Sequence, residues 1–167
     1  MTTEIAPGSK LFLKRMRHFA VLATLLLAAA CTGAGAAATS TGATTIATAP
    51  RFRTVANAAY GERTEPGAVV VMDQTAYRNA WDSMIGVGEA PAVDFATETA
   101  VFLFGGQRST GGYSVEVRGV TLEGDTLAID GRVQGPPPGS ITTQALTSPY
   151  AVLAVESRAI QNVPWTP

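Results

Sequence analysis

After Cys31 the chain contains no histidine, no lysine and no further cysteine. That absence removes the Ser-His-Asp triad, the Cys-His pair, the His/Cys zinc site, the Ser-Lys dyad and the Schiff-base amine. No P-loop and no complete dinucleotide glycine fingerprint is present. What remains for acid–base work is the carboxylate. The candidates are Asp73, Asp82, Glu89, Asp94, Glu98, Glu116, Glu123, Asp125, Asp130 and Glu156. Two suitably placed acids suffice for glycoside hydrolysis, and Asp94 with Glu98 is the pair that would carry it. Most of the others have plain structural readings: Asp73 as a helix cap, Glu116 and Asp130 on solvent-facing strand positions, Glu123 and Asp125 in a turn. No run supplies the tightly alternating oxygen ligands of a calcium loop. The expectation is a protein without catalysis, metal or cofactor.

Three stretches offer binding chemistry instead. In Gly105-Gly106-Gln107-Arg108-Ser109-Thr110-Gly111-Gly112-Tyr113, paired glycines permit close backbone approach. Arg108 supplies a forked donor there and Tyr113 an aromatic anchor, or else a core residue. Pro136-Pro137-Pro138-Gly139 is a stiff, extended loop segment. Thr147-Ser148-Pro149-Tyr150 either presents a proline-aromatic contact or simply starts a strand. Trp81 and Trp165 read as core residues. The candidate binding set is Arg108, Ser109, Thr110, Gly111, Gly112, Tyr113, Pro137, Pro149 and Tyr150.

The elements that must hold these stretches are mostly strands. Phe52 and Val55 open a short one. Ala68 to Met72 reads as a buried strand after the Pro66-Gly67 turn. Asp73 suits a helix N-cap, and Tyr77, Ala80, Trp81, Met84 and Ile85 recur at helical spacing behind it, with Gly86 as C-cap. Val87 to Asp94 reads as loop. Thr99 to Phe104 is a central strand. Tyr113, Val115 and Val117 alternate with polar residues, the phase slips near Gly119, and Glu123-Gly124-Asp125 turns the chain into a return strand bearing Leu127, Ile129 and Val133. Gln134 to Pro149 is a long loop, Tyr150 to Glu156 a further strand, and Val163 with Trp165 a last edge. The expected fold is α+β, mainly an antiparallel β-sheet or sandwich with one packed α-helix.

The N-terminal part reads as targeting sequence. Lys10, Lys14, Arg15 and Arg17 precede the apolar run Phe19 to Ala30, which is shorter than the roughly 20 residues of a bilayer span. Met16 is an alternative start to Met1. The small residues directly before Cys31 resemble the lipobox of bacterial lipoproteins, although Leu27 lies one place further from the cysteine than is usual. Cys31 is thus the expected lipidation site, acylated with chains such as palmitate and holding the protein at a membrane. Residues 1–30 are the expected lipoprotein signal peptide. Residues 31–50, nearly all Ala, Thr, Gly and Ser, are the expected flexible tether, and residues 51–167 the folded domain. Localisation follows: the cell envelope, lipid-anchored, in the periplasm or on the outer face of a membrane. Beyond Cys31 eight arginines stand against twelve carboxylates. That mildly acidic balance gives no reason to expect a nucleic-acid partner.

Val93-Asp94-Phe95, Val101 to Gly105, Thr110-Gly111-Gly112-Tyr113-Ser114-Val115, Pro137 and Pro149-Tyr150 together resemble the bacterial family of the protease complex subunit PrcB, over about residues 68–165. The resemblance implies a secreted or lipid-anchored β-rich accessory domain, non-catalytic, within a cell-surface protease complex. A fainter likeness is to chagasin-type cysteine protease inhibitors, which also present a glycine-rich and a proline-aromatic loop; here there is an extra glycine and no clear tryptophan loop. The function expected is binding and stabilising an exported protein, with a protease as the candidate partner. The alternatives are a protease inhibitor that presents the same loops and a carboxylate-based glycan hydrolase.

Overall fold

The computed structural model of the protein describes residues 46–167; the signal segment, Cys31 and most of the tether lie outside the described residues. The elements are β1 (Ala47–Thr48), β2 (Phe52–Ala58), β3 (Gly67–Val71), α1 (Gln74–Met84), β4 (Thr99–Phe104), β5 (Ser114–Glu123), β6 (Thr126–Gln134) and β7 (Tyr150–Val155). They form a four-stranded sheet in the order β2-β7-β4-β3 and a three-stranded sheet in the order β1-β5-β6. All strand pairings are antiparallel. The fold is the expected α+β arrangement, largely antiparallel β with a single helix among the described residues.

Two strands, β4 and β7, carry the core on both faces. Every residue of each is buried. Such strands read as continuous apolar runs because neither face meets water. On one face Ala100, Phe102, Phe104, Tyr150, Val152 and Ala154 pack against α1. On the other, Val101, Leu103, Ala151, Leu153 and Val155 pack against Val115, Val120 and Leu127 of the smaller sheet. The layers are therefore helix, four-stranded sheet, three-stranded sheet.

The helix begins where Asp73 Oδ1 accepts the Ala76 N–H at 2.8 Å, a side-chain cap on one of the otherwise unpaired first-turn donors. It ends where the Ile85 and Gly86 N–H groups both donate to the Trp81 carbonyl, with Gly86 at φ +74°. Between these ends Tyr77, Trp81 and Ile85 fall on one stripe and are all buried. Each such burial is worth roughly 2 kcal/mol. The Tyr77 ring lies against Phe95 and Phe102 at centroid distances of 5.4 and 5.6 Å. Burial pushes its phenol up to about 12.

The β5–β6 hairpin closes with Glu123 opposite Thr126 across Gly124-Asp125. Its register slips between Val117 and Gly119, so the bulge falls beside the position where the alternation breaks. Glu116 and Asp130 make exposed cross-strand pairs with Arg132 and Arg118, at 2.9 and 3.0 Å.

Three expectations about elements are corrected. β3 is not the buried strand expected but an outer one, half-buried for most of its length, because its other side has no neighbour in the sheet. Val163 and Trp165 form no strand. They pack as irregular chain against the sandwich core, and Trp165 Nε1 donates to the Phe104 carbonyl at 3.0 Å. The ordered pairing also starts before Arg51: Ala47 and Thr48 pair with Glu123 and Leu122, using the free edge of β5.

Candidate functional site

The glycine-rich loop between β4 and β5 and the proline-rich loop between β6 and β7 meet as one surface. The Arg108 N–H donates to the Thr147 carbonyl at 2.7 Å and the Thr147 N–H returns to Arg108 at 3.0 Å. Further out, the Gly111 N–H donates to the Thr143 carbonyl at 2.9 Å, and Thr147 Oγ1 donates to the Thr110 carbonyl at 2.8 Å. Two long loops would ordinarily carry much conformational entropy. These backbone bonds cross-brace them, so each limits the freedom of the other.

The glycines make that approach possible. A Cβ on Gly111 would collide with Thr143 Oγ1, and one on Gly112 would lie 2.9 Å from Pro136 Cβ. Gly112 also has φ +86°, in the left-handed region that costs other residues energy. Arg108 is turned inward rather than offered to solvent. Its Nη2 donates to the Gly105 carbonyl at 2.8 Å, its guanidinium lies 5.6 Å from the Tyr113 ring centroid, and its Nε is buried without a partner. Arg108 and Tyr113 thus brace the loop that was expected to present them.

The structure divides the candidate binding residues. Ser109, Gly112 and Pro137 are exposed; Arg108, Thr110 and Tyr113 are half-buried; Gly111 is buried at the loop–loop contact. Pro149 and Tyr150 are buried, and Tyr150 belongs to the core under α1 with 4% of its surface exposed. Their side chains offer no accessible contact, because β7 is covered on both faces from its first residue. Burial raises the Tyr150 phenol above its ordinary value.

The accessible apolar chemistry comes from residues that the sequence reading passed over. Large exposed apolar side chains among the described residues are Ile46, Tyr60, Val87, Ile141 and Leu146. Tyr60, Val87 and Leu146 line a single cavity of about 320 Å³, with Gln107 and Ser148. The segment after β2 is held there by the Gly61 N–H to the Ser148 carbonyl at 3.0 Å, and the Ser148 N–H donates to the Ala59 carbonyl at 2.9 Å. The loop surface and this recess share the 107 and 146–148 segments. The signal available in sequence was an isolated large apolar residue inside a polar loop, as in Gln144-Ala145-Leu146-Thr147. A larger recess of about 680 Å³ runs along α1 and the loop after it, but its lining mixes Arg78 with Asp82 and Glu89.

The carboxylate pair considered for hydrolysis is occupied with structure. Glu98 accepts from Arg53 Nε at 3.1 Å and Nη2 at 2.8 Å, and from the Asp94 N–H at 3.0 Å. These bonds, led by that from Arg53, hold its carboxyl below the usual range. A general acid needs the opposite shift. Asp94 accepts from the Ala96 N–H and the Thr97 hydroxyl at 3.0 and 2.9 Å, closing the turn before β4.

A family model described as PrcB C-terminal matches residues 99–156, just over a third of the chain. The matched stretch runs from β4 through β7 and contains both loops. It is narrower than the span of about residues 68–165 over which the sequence resembles that family, and it supports the same family. No curated protein and no solved structure matches the chain.

Proposed function

We propose that this chain is a non-catalytic accessory subunit of a protease complex, anchored to the cell envelope through lipid on Cys31, that binds an exported partner protein with its braced loop surface. The PrcB C-terminal match supports the protease-complex setting. The observation that carries the binding reading is convergence. Three of the large exposed apolar side chains, Tyr60, Val87 and Leu146, gather in one recess beside two loops that are pinned to each other. Scattered exposed apolar residues need no explanation, whereas a cluster on a braced surface fits a protein contact. Pre-braced loops also lose little entropy on association.

The test is site-specific photocrosslinking in cells from Ser109, Ser140 and Leu146, with Asp82 on α1 as control. The expected result is capture of an exported protease from the first three positions and not from Asp82. Leu146→Asp should reduce capture at Ser109 about tenfold or more, the size of effect seen when an interface anchor is lost. Cys31→Ser should move the chain out of the membrane fraction and leave its loops able to crosslink. Equal capture from Asp82, or no protease at any position, defeats the binding reading. Retention of the Cys31→Ser chain in membranes defeats the anchor.

A further inference from the structure

The edges of the two sheets are not equally protected. β2, one outer strand of the larger sheet, carries Arg53, shifts register between Thr54 and Ala56, and is tied to β5 by Asn57 Nδ2 donating to the Val115 carbonyl at 2.6 Å. β6, an outer strand of the smaller sheet, carries Asp130 and Arg132, and its Leu127 N–H donates to the Asn162 carbonyl at 2.8 Å. Charges, bulges and covering segments keep sheet edges from pairing with other chains. Within β3 there are none of these: its sequence is Gly-Ala-Val-Val-Val and its register with β4 is unbroken, and the first charged contact on that edge comes after the strand, where Arg158 Nη2 donates to the Met72 carbonyl at 3.5 Å.

The outward-facing groups of β3 follow from ladder parity. The Gly105 N–H donates to the Pro149 carbonyl at 2.8 Å, extending the β4–β7 ladder by one bonded position. Bonded positions recur at every second residue of an antiparallel pair. Thr99, Val101 and Leu103 therefore bond towards β7, and Ala100, Phe102 and Phe104 towards β3, where they face Val71, Val69 and Gly67. Ala68 and Val70 turn their N–H and C=O groups away from the sheet. None of these four groups has a hydrogen-bond partner outside the ladder among the described residues.

We propose that this edge receives an extended segment of a partner protein as a fifth, antiparallel strand. Four free backbone groups in a row specify main-chain pairing as the mode of recognition. The free groups at Ala68 and Val70 lie beyond the point where Thr64 accepts the Gln107 N–H at 2.8 Å, so Ala68→Pro and Leu146→Asp test the edge and the braced loops apart. A second copy of this chain is disfavoured by charge. The register that engages all four free groups of both copies sets Ala68 of one against Val70 of the other. That register is centred on Val69 and brings Glu65 of each copy towards Asp73 of the other, both exposed carboxylates. Like charges set opposite one another across strands are destabilising. The same two carboxylates favour a partner segment with an uncharged, β-branched centre and a basic residue at each end.

The probe is the labelled peptide Lys-Thr-Val-Thr-Val-Thr-Val-Thr-Lys, added to the full chain and followed by fluorescence anisotropy and amide exchange. Binding should slow exchange at Ala68 and Val70 about tenfold or more, since bonded amides exchange only on opening. N-methylation of the peptide's edge-facing amides should abolish binding. Replacing both lysines with glutamate should weaken it about threefold or more at low salt. Ala68→Pro removes one outward donor without touching the bonds to β4, and should lose the peptide while melting as a folded chain. The proposal is overturned if the N-methylated peptide binds as well as the parent, or if protection falls elsewhere. It is also overturned if no binding occurs up to about 1 mM, or if the two amides become protected with rising protein concentration alone, which would place a second copy on the edge.

Discussion

Among the side chains that seemed able to do chemistry, Glu98 shows how the fold uses them. It stands at the entry to β4, and through Arg53 and the Asp94 N–H it fastens β2 and the preceding loop to that entry. Its carboxyl is held low chiefly by Arg53, so its ionised form is favoured in the folded state. A group of this kind stabilises above its unfolded value, near 4.3 for a glutamate, and the contribution is lost as pH falls through the lowered folded value. Glu98→Gln should therefore cost about 2 kcal/mol at neutral pH, a figure kept modest because half of the Arg53 side chain meets solvent. The difference between the two proteins should shrink as pH falls through the lowered folded value, where the native carboxylate also takes up a proton. Urea unfolding at neutral and acid pH measures both. A difference that stayed constant with pH would mean that packing rather than charge accounts for the loss.

At the scale of elements, the loop–loop brace depends on Gly112. Its φ of +86° and the 2.9 Å that would separate an added Cβ from Pro136 act together. Gly112→Ala should cost about 2 kcal/mol from the left-handed conformation alone, with steric displacement of Pro136 in addition. The Gly111 amide, which donates to Thr143, should lose its exchange protection while the amides of β4 keep theirs. Uniform loss of protection would show that the loops are part of the core rather than an addition to it. The strands and helix were legible because their signals are local: alternation in β5 and β6, unbroken apolar runs in β4 and β7, an i, i+4, i+8 stripe in α1. The bulge beside Gly119 and both helix caps were legible for the same reason. The composite surface was not, because the Arg108–Thr147 and Gly111–Thr143 bonds join residues more than thirty positions apart. Tyr150 looked available for binding because the sequence does not reveal that β7 is covered on both sides; only the helix and the smaller sheet together bury it.

For the molecule as a whole, the arrangement of three layers leaves the sandwich core to be closed by chain that is neither strand nor helix. After β7, Ile160 is fully buried in that core, and Asn162 is tied to the start of β6. Trp165 then lies against Gly131, with its ring 3.3 Å from where a Cβ there would sit, and donates to the carbonyl of Phe104. Phe104 is the last residue of β4, and the glycine-rich loop starts at the next position. Trp165 therefore links core closure to the base of the candidate binding surface, a link that no local pattern in the sequence expresses. Trp165→Ala should destabilise the protein by about 2 kcal/mol, below the range for a fully buried tryptophan because this one is half-buried. Trp165→Phe keeps most of the packing and loses only the donated bond, so about 1 kcal/mol is expected. If the loop base is held as described, the alanine variant should also speed exchange at the Gly105 amide, which donates to Pro149. It should do so more than at Leu127 near the opposite end of the tail's path. Equal acceleration at both sites would mean that Trp165 supports the core without steadying the loops.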